Sequence, residues 1–310
     1  MITPVLSKWQ DIKQFLEFNY SYLGTIVSAI ELDGKMSNLF KVTFKKGDIK
    51  TAYCFKISSL AEDKICYFTL PFNSRLHYQA ELISFCNKKG LKIPNLIKTN
   101  DKTYFKSTKS DIMMLYEFAD GPLVGNAIIN EYLSPNTVQL IGHWLGQFHA
   151  CSQGLTMHPT PNRLTPFIFH KKVEALENTA FQKQVHHLKS QIQTHLNSCL
   201  EAKELKEWVI GPIHGDFHAG NLLLGNTLSV IDWELCGLGP RLLDIGTIIR
   251  SLKLSLDSIW LIAKSYSEGY TSDKKLRNCI REQVIKHART FAEVRHIWFF
   301  AMHYDHQKEL

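Results

Sequence analysis

The sequence lacks the features that identify membrane proteins and disulfide-rich proteins. No run of residues approaches the roughly 18 uncharged apolar positions that a membrane span needs, although 45% of the chain is hydrophobic. Cysteines number only seven among 310 residues, an odd count, and none forms a Cys-x-x-Cys pair. Reduced thiols fit this pattern better than disulfides do. The sequence therefore predicts a globular cytoplasmic protein with no membrane partner.

Large clusters of one charge are also absent. The 36 Lys and Arg residues exceed the 29 Asp and Glu residues, and the formal net charge of +7 favours anionic ligands in a general way. The densest basic clusters are only pairs, such as Lys45-Lys46 and Lys88-Lys89, and aromatic residues do not alternate with them. A groove for nucleic acid needs both features, so we expect no nucleic acid partner.

Short apolar strands dominate the first third of the chain. Alternating apolar residues predict strands at 26–30, 39–44 and 52–57. The turn formers Asp33-Gly34 and Lys46-Gly47-Asp48 separate these strands. This order predicts an antiparallel meander.

A helix and a further strand are predicted after the meander, at residues 75–89 and 112–118. The strand is followed by Ala119-Asp120-Gly121-Pro122, a strong break. Because a chain of 310 residues exceeds the usual size of one domain, we place a lobe boundary at this break. The predicted lobes are residues 1–118 and 119–310.

Helices dominate the second lobe. Ser134-Pro135 predicts a helix N-terminus, since Ser caps helices and Pro is favoured at their first position. Residues 172–206 and 255–304 have helical patterns, the second with a break near 271–273. Between them, residues 209–234 form a short island of strands and turns that is rich in Gly and Asp.

That island carries the residues suited to chemistry. It contains His214-Gly215-Asp216, then Asn221, and after a turn Ile231-Asp232-Trp233. Phosphoryl transfer needs a carboxylate that orients the attacking hydroxyl, and oxygen ligands that hold Mg²⁺ against the phosphates. An Asp followed five residues later by Asn can aim both side chains inward, and the next strand returns Asp232 to the same end. Asp216, Asn221 and Asp232 could therefore supply these roles.

The spacing His-Gly-Asp-x-x-x-x-Asn, followed by Ile-Asp-Trp, resembles the catalytic and metal-binding loops of the aminoglycoside phosphotransferase and choline kinase family, relatives of protein kinases. The later segment Gly237–Arg241 with Asp244-Ile245-Gly246 is also similar. The resemblance covers about residues 25–250. It implies an α+β, protein-kinase-like bilobal fold with a small β-rich N-lobe and a larger, mostly helical C-lobe. It also implies that Asp216 is the catalytic residue, that Asn221 and Asp232 are metal ligands, and that Asp244 is mainly structural. Because Asp216 already holds the place of the base, we interpret His214 as a residue that braces the loop.

The same resemblance implies a nucleotide site on the N-lobe. Lys56 on the third strand would contact the α and β phosphates of ATP, or of GTP, and Glu81 on the following helix would hold that lysine. Strand alternation places Cys54 on the same face as Lys56. The backbone at Glu117 and Ala119 would bind the adenine.

The first turn departs from the protein kinase pattern. It contains only Gly34, in place of the Gly-x-Gly-x-x-Gly of protein kinases. This simpler form is common in the small-molecule branch. Phosphate contacts are therefore assigned to Ser37, Asn38 and nearby backbone N–H groups.

The acceptor is the least defined part of the prediction. An aminoglycoside-like or amino-alcohol compound leads, because Glu234 could face the acceptor and attract a cation, although an exposed loop charge is the alternative reading. Homoserine or another hydroxy metabolite is the second candidate. A nucleotide-binding pseudokinase is the candidate from a different class, and the intact Asp216, Asn221 and Asp232 argue against it. Protein substrates rank lower, since no long activation segment separates Asp232 from Asp244.

Overall fold

An antiparallel sheet organises the first part of the protein. The computed structural model describes residues 9–32, 37–59, 72–129, 133–155 and 182–303. The strands of this sheet are β1 (Thr25–Leu32), β2 (Asn38–Lys46), β3 (Ile49–Ser59), β4 (Lys106–Ser107) and β5 (Asp111–Glu117). Their order is β1-β2-β3-β5-β4, and every neighbouring pair is antiparallel.

The predicted meander is confirmed, because β1 pairs with β2 and β2 pairs with β3. The turn between β2 and β3 uses Gly47 with a positive φ of 61°, a conformation that glycine adopts without steric cost. The turn predicted at Asp33-Gly34 lies outside the described residues.

Helices make up most of the remaining structure. They are α1 (Trp9–Asn19), α2 (Phe72–Lys88), α3 (Val124–Ile129), α4 (Pro135–Cys151), α5 (Gln182–Glu201), α6 (Lys206–Val209), α7 (Leu242–Ser251), α8 (Leu256–Tyr270) and α9 (Lys274–His303). The helix predicted at 75–89 is confirmed as α2, and the break predicted near 271–273 separates α8 from α9. Of the pattern predicted at 172–206, residues 172–181 lie outside the described ranges.

One face of the sheet forms a small core with α1, a helix that the sequence did not predict. The buried Ile12 and Leu16 of α1 pack in one cluster with sheet residues such as Phe44 and Phe55. Burial of a large apolar side chain of this kind contributes about 1.5–3 kcal/mol. Since side chains of a strand alternate between faces, Lys56 next to Phe55 projects from the opposite face.

The start of α4 follows from its sequence. Ser134 is the N-cap, its side-chain oxygen accepts a hydrogen bond from the Thr137 N–H at 3.1 Å, and Pro135 occupies the first turn. Both features were predicted. A cap of this type typically contributes about 1 kcal/mol to helix stability.

Two short antiparallel pairs position the island. Its strands are β6 (Ile210–Ile213), β7 (Leu222–Leu224), β8 (Leu228–Val230) and β9 (Gly237–Pro240). Strands β7 and β8 form the hairpin that the sequence indicated, whereas the pairing of β6 with β9 was not expected. As a result, the segment with Asp216 follows β6 and the segment with Asp232 precedes β9, and both lie at one end of these pairs.

Two further observations concern classes of protein considered above. Within the described ranges, no helix is long and apolar enough to cross a membrane. The described cysteines are all free thiols.

Candidate active site

Gly215, between His214 and Asp216, sets the path of the loop after β6. Gly215 has a positive φ of 83°, and a Cβ atom built on it would lie 2.1 Å from the Leu235 carbonyl oxygen. No real Cβ contact is that short, so only glycine lets the loop after β6 approach the loop after β8 this closely. This contact brings the Asp216 and Asp232 segments together.

Asp216 is a half-buried carboxylate that lies beside Arg295 and His218. Its Oδ1 accepts hydrogen bonds from Arg295 Nε at 3.1 Å and Nη2 at 2.5 Å, while His218 Nε2 lies 3.4 Å from Oδ2. Burial raises the pKa of the Asp216 carboxyl, but Arg295 and His218 lower it by more, so its pKa lies well below the ordinary value. Asp216 is therefore ionised at neutral pH and can accept a hydrogen bond from a hydroxyl group.

Asn221 is fixed beside Asp216 by the turn that follows it. A short 3₁₀ turn, Ala219–Asn221, ends at this residue, and the Asn221 Nδ2 donates to the Asp216 carbonyl oxygen at 3.0 Å. The Asn221 carbonyl in turn accepts from the Ile231 N–H at 3.0 Å, across the β7–β8 hairpin. With the amide nitrogen oriented by Asp216, the Oδ1 atom is the end that can serve as a ligand.

Asp232 occupies the left-handed region, with φ 61° and ψ 62°. This conformation costs on the order of 1 kcal/mol for a residue other than glycine, though Asp tolerates it better than most. The following Trp233 anchors the loop, since it is 2% exposed and its Nε1–H donates to the Val230 carbonyl at 2.9 Å. The buried Trp233 therefore keeps Asp232 in this strained conformation, and the Asp232 carboxylate remains exposed.

Lys56 joins the sheet to this loop. Its Nζ lies 3.2 Å from Asp232 Oδ1 and 2.7 Å from Glu234 Oε1. Burial lowers the pKa of Lys56, but the two carboxylates raise it by more, so the net pKa is well above the ordinary value and the ammonium stays charged. One end of the β7–β8 hairpin is thus surrounded by four polar groups: the carboxylates of Asp216 and Asp232, the amide of Asn221 and the ammonium of Lys56.

Comparison with known proteins identifies the group to which this arrangement belongs. A profile of the Phosphotransferase enzyme family matches residues 49–273, well over half of the 310-residue chain. The chain belongs to this family. The description of the family indicates phosphotransferase chemistry, and the solved structures that resemble this chain include an aminoglycoside phosphotransferase and a choline/ethanolamine kinase family protein. The predicted protein-kinase-like fold is confirmed, with an N-terminal antiparallel sheet and a mostly helical remainder.

Individual relatives add detail. Protein LicA of Haemophilus influenzae is 33% identical over 95 residues, which is 30% of this chain and 35% of LicA, so the match spans about a third of that protein. The structure of amicoumacin kinase hAmiN in complex with AMP-PNP, Ca²⁺ and Ami is similar with a TM-score of 0.64 and 13% identity, over 97% of this chain and 88% of that one. The microcompartment-associated aminopropanol kinase has a TM-score of 0.58 and 15% identity, over 97% and 91% of the two chains. The two structures show a shared fold.

The loop that carries Asp216 is braced by His214. The ring is fully buried, its Nε2 lies 3.0 Å from the Ile231 carbonyl oxygen, and its Nδ1 accepts the Asp216 N–H at 3.2 Å. These contacts require a proton on Nε2 alone. Burial, opposed in part by Asp244 and Asp216, lowers the pKa of His214 and favours this neutral form. The bracing role stated for His214 agrees with this geometry.

A buried carboxylate holds the start of the loop. Asp244 accepts the N–H groups of His214 at 2.7 Å and Gly215 at 2.8 Å. It also lies 3.1 Å from His149 Nε2, and the other ring nitrogen of His149 lies 2.9 Å from the Tyr266 hydroxyl. Asp244 is fully buried and therefore fixes the backbone immediately before Asp216 from the protein interior.

The predicted partner of Lys56 is placed differently. Among the described residues, Lys56 forms no ion pair with Glu81, which is half-buried on α2. The side of α2 that turns toward the sheet carries Gln79, whose Nε2 lies 3.4 Å from the Tyr116 hydroxyl. Two residues along a helix are about 200° apart, so Glu81 points away from that side.

The remaining residues assigned to the nucleotide lie on the N-terminal sheet or directly beside its strands. Ser37 Oγ is 3.1 Å from Ser58 Oγ at the ends of β2 and β3, and Asn38 begins β2. The Glu117 carboxylate accepts two hydrogen bonds from Asn95, and the Glu117 N–H donates to the Asn95 carbonyl, so both groups are already engaged. In the described part of the chain, the N–H of Ala119 has no hydrogen bond.

Cys54 lies near Lys56, as strand alternation predicts. Burial raises the pKa of the Cys54 thiol to about 11. Lys56 lowers this pKa in part, and Asp232 raises it by a smaller amount. The thiol is therefore neutral at physiological pH and contributes an apolar surface next to the lysine.

Sequence reasoning missed Arg295 and His218. Arg295 lies on α9 after the buried Ala288, Phe291 and Ala292, so it occupies the apolar side of that helix. A charged residue in an apolar helical stripe is a signal for a buried ion pair, and that signal was available from the sequence. Nothing local, however, indicates which carboxylate it meets.

Proposed function

We propose that this phosphotransferase is a Mg²⁺-dependent kinase that transfers the γ-phosphate of ATP to a hydroxyl group of a small aminoglycoside-like or amino-alcohol compound. The observation that supports it most is the convergence of Asp216, Asn221 and Asp232 on one loop and hairpin, with Lys56 at 3.2 Å from Asp232. Phosphoryl transfer depends on such positioning and on charge more than on covalent chemistry.

The role of Asp216 follows from its charge. Ionised and held by Arg295, it would accept a hydrogen bond from the acceptor hydroxyl, orient that oxygen toward the γ-phosphate, and receive its proton late in the reaction. His214 and Asp244 would keep the loop rigid during this step. Because Asp216 has a pKa well below the ordinary value, it acts chiefly by orientation, and strong proton abstraction is not required of it.

The metal ligands would be Asn221 and Asp232. Both offer oxygen atoms, which Mg²⁺ prefers, and a site bridged by phosphates needs only one or two protein ligands. The exposed Asp232 carboxylate and the oriented Asn221 amide fit this requirement. When bound, the ion would neutralise charge on the phosphate oxygens.

The nucleotide would lie between the sheet and the hairpin. Lys56 would contact the α and β phosphates, and Ser37, Asn38 and nearby N–H groups would contact the phosphate tail. The adenine would be bound by the backbone at Glu117 and Ala119, and the unengaged Ala119 N–H is the donor available for it. ATP is the proposed donor, with GTP as the alternative. The lobes would then be residues 1–118 and 119–310.

The acceptor proposal draws on relatives that act on amine-bearing compounds, such as the aminopropanol kinase. Homoserine or another hydroxy metabolite is the second candidate, and one observation favours it. Arg295 places positive charge beside Asp216, which would suit an anionic group next to the acceptor hydroxyl. We also propose a cytoplasmic location, which the free thiols support.

The test is a screen for acceptor-stimulated ADP release with Mg-ATP. Compounds are chosen as pairs that differ by one carboxylate: ethanolamine and serine, 1-amino-2-propanol and threonine, 3-aminopropanol and homoserine. Choline and several aminoglycosides complete the panel. Stimulation by the amines supports the leading acceptor class, and stimulation by the amino acids alone supports the second.

Asp232→Ala provides the specificity control for this screen. It should abolish Mg²⁺-dependent turnover and leave the melting temperature within a few degrees of wild type, because the carboxylate is exposed. Near-normal turnover in the variant would refute the metal assignment. Binding of Mg-ATP without turnover in wild type would indicate a pseudokinase.

A further inference from the structure

Two carboxylates contact the ammonium group of Lys56, and both come from the same short loop. Glu234 Oε1 is the nearer at 2.7 Å, and Asp232 Oδ1 lies at 3.2 Å. The Glu234 side chain is 28% exposed and that of Asp232 is 42% exposed, while Lys56 itself is 13% exposed. The Glu234 contact is therefore both the shorter and the better shielded from water, which screens it less.

The backbone of the loop explains why it presents two carboxylates on one side. Asp232 turns the chain through its left-handed conformation, and a 3₁₀ turn, Trp233–Leu235, follows at once. Trp233 between the two acids is buried and packs against Phe148 and His214, with ring centroids 4.9 and 4.5 Å away. With Trp233 directed into the core, its two neighbours are directed toward Lys56.

Helix α2 offers no equivalent carboxylate. It packs against the Trp233–Leu235 turn, and the residue it directs toward the sheet is Gln79, a neutral side chain. Glu81 lies about 200° around the helix from Gln79. Rotation of the whole helix would be needed to bring Glu81 to Lys56, and this would expose the buried Leu82 and Cys86.

We propose that Glu234 is the positioning residue for Lys56, in place of a glutamate from helix α2. The proposal rests on the proposed function, in which Lys56 contacts the phosphates of the nucleotide. If Asp232 held a metal ion, Lys56 would have to share that carboxylate with the ion. Glu234 then holds the ammonium at the mouth of the cleft and keeps the lysine extended toward the phosphates.

The test measures binding of Mg-AMP-PNP, which requires no acceptor. Glu234→Gln removes the charge at constant shape and should weaken binding about tenfold, while Glu234→Asp keeps the charge and should restore part of that loss. With any acceptor that the screen identifies, the KM for ATP should rise about as much and the KM for the acceptor should change less than twofold. Glu268→Gln, an exposed glutamate on α8, is the matched control for the same chemical change.

A double-variant cycle shows whether Glu234 acts through the lysine. Lys56→Met should weaken binding on its own, and adding Glu234→Gln to it should have almost no further effect. If Glu234 were merely structural, its effect would persist in the Lys56→Met background. Because the double variant removes both charges, it remains measurable even if Glu234→Gln alone is unstable.

The rival arrangement makes the opposite prediction. If Glu81 holds Lys56 once nucleotide is bound, Glu81→Gln should weaken binding more than Glu234→Gln, and the inference is overturned. If Lys56→Met itself has no effect, or wild type does not bind Mg-AMP-PNP, the proposed function fails instead. A loss on Lys56→Met with no loss on Glu234→Gln rejects the inference alone.

Discussion

Arg295 on α9 donates two hydrogen bonds to one carboxylate oxygen of Asp216, a residue 79 positions earlier in the sequence. Both side chains are about 15% exposed, so water screens their attraction only in part. The pair couples α9 to the loop that carries Asp216. It also sets the ionisation of the carboxylate that is proposed to orient the acceptor.

Arg295→Met should slow the reaction about tenfold and change its pH dependence, because Asp216 loses both a positioning donor and a compensating charge. Burial raises the pKa of Asp216 and Arg295 lowers it, so removal of the arginine moves this pKa upward. The acid limb of the pH profile of kcat/KM for the acceptor should therefore shift to higher pH. This profile is measured with saturating Mg-ATP across the acid pH range.

The controls for that variant come from the same helix. Arg295→Lys keeps the positive charge and should leave the acid limb closer to wild type. Arg281→Met makes the same change at a residue that contacts Asn278, and it should alter neither the reaction rate nor the acid limb of the pH profile. An unchanged acid limb in Arg295→Met would show that the arginine does not control the ionisation of Asp216.

The parts that the sequence predicted are those encoded locally. Asp216, Asn221 and Asp232 stand within one segment, so the spacing of a loop and a hairpin was enough to bring them together. The meander and the N-cap at Ser134 are equally local, since each depends on neighbouring residues. Arg295 could not be paired from sequence, because its contact depends on how α9 packs against the rest of the protein.

The partner of Lys56 illustrates a second limit. Glu81 has the expected residue type on the expected helix, but the phase of α2 decides which residue meets the sheet, and that phase is set by packing of residues such as Leu82. Glu234 was interpreted as an acceptor contact or a loop charge. Its proximity to Lys56 follows from the left-handed turn at Asp232, which no sequence pattern indicated.

Gly215→Ala should destabilise the protein and abolish activity. The added Cβ would lie 2.1 Å from the Leu235 carbonyl oxygen and would push the Asp216 and Asp232 loops apart. The matched control is Gly154→Ala, where φ is also positive, at 80°, but nothing lies within 4 Å. Both variants carry the strain of about 1–2 kcal/mol for alanine at positive φ. Gly215→Ala should lose about 2 kcal/mol more free energy of unfolding in urea, and equal losses would contradict the clash.

Asp244→Asn should lower both stability and kcat. The amide that replaces one carboxylate oxygen would face a donor, either the N–H of Gly215 or the N–H groups of His214 and His149. Loss of such charge-assisted bonds at a buried site costs about 2–4 kcal/mol. Urea unfolding measures the first effect and acceptor-stimulated turnover the second. Asp257→Asn on the exposed start of α8 is the control, and similar losses in both variants would argue against a bracing role.

Protonation of His149 should make the protein less stable in mild acid. Burial lowers its pKa to about 4, despite the neighbouring Asp244, against 6.5 for the unfolded chain. The unfolded state therefore binds a proton first, so the stability contributed by neutral His149 is complete above pH 6.5 and is lost as the pH falls toward 4. At about 1.4 kcal/mol per pH unit, this loss approaches 3 kcal/mol.

His149→Gln tests this assignment, since glutamine stays neutral and can still donate toward Asp244. The difference in free energy of unfolding between pH 7 and pH 4.5, measured in urea, should be smaller in the variant by about 2–3 kcal/mol. His143→Gln changes an exposed histidine on the same helix and should retain the wild-type difference. Equal pH dependence in wild type and His149→Gln would mean that His149 is not buried in its neutral form. The acid sensitivity would then have to arise from other buried groups, such as His195, whose pKa burial also lowers to about 4.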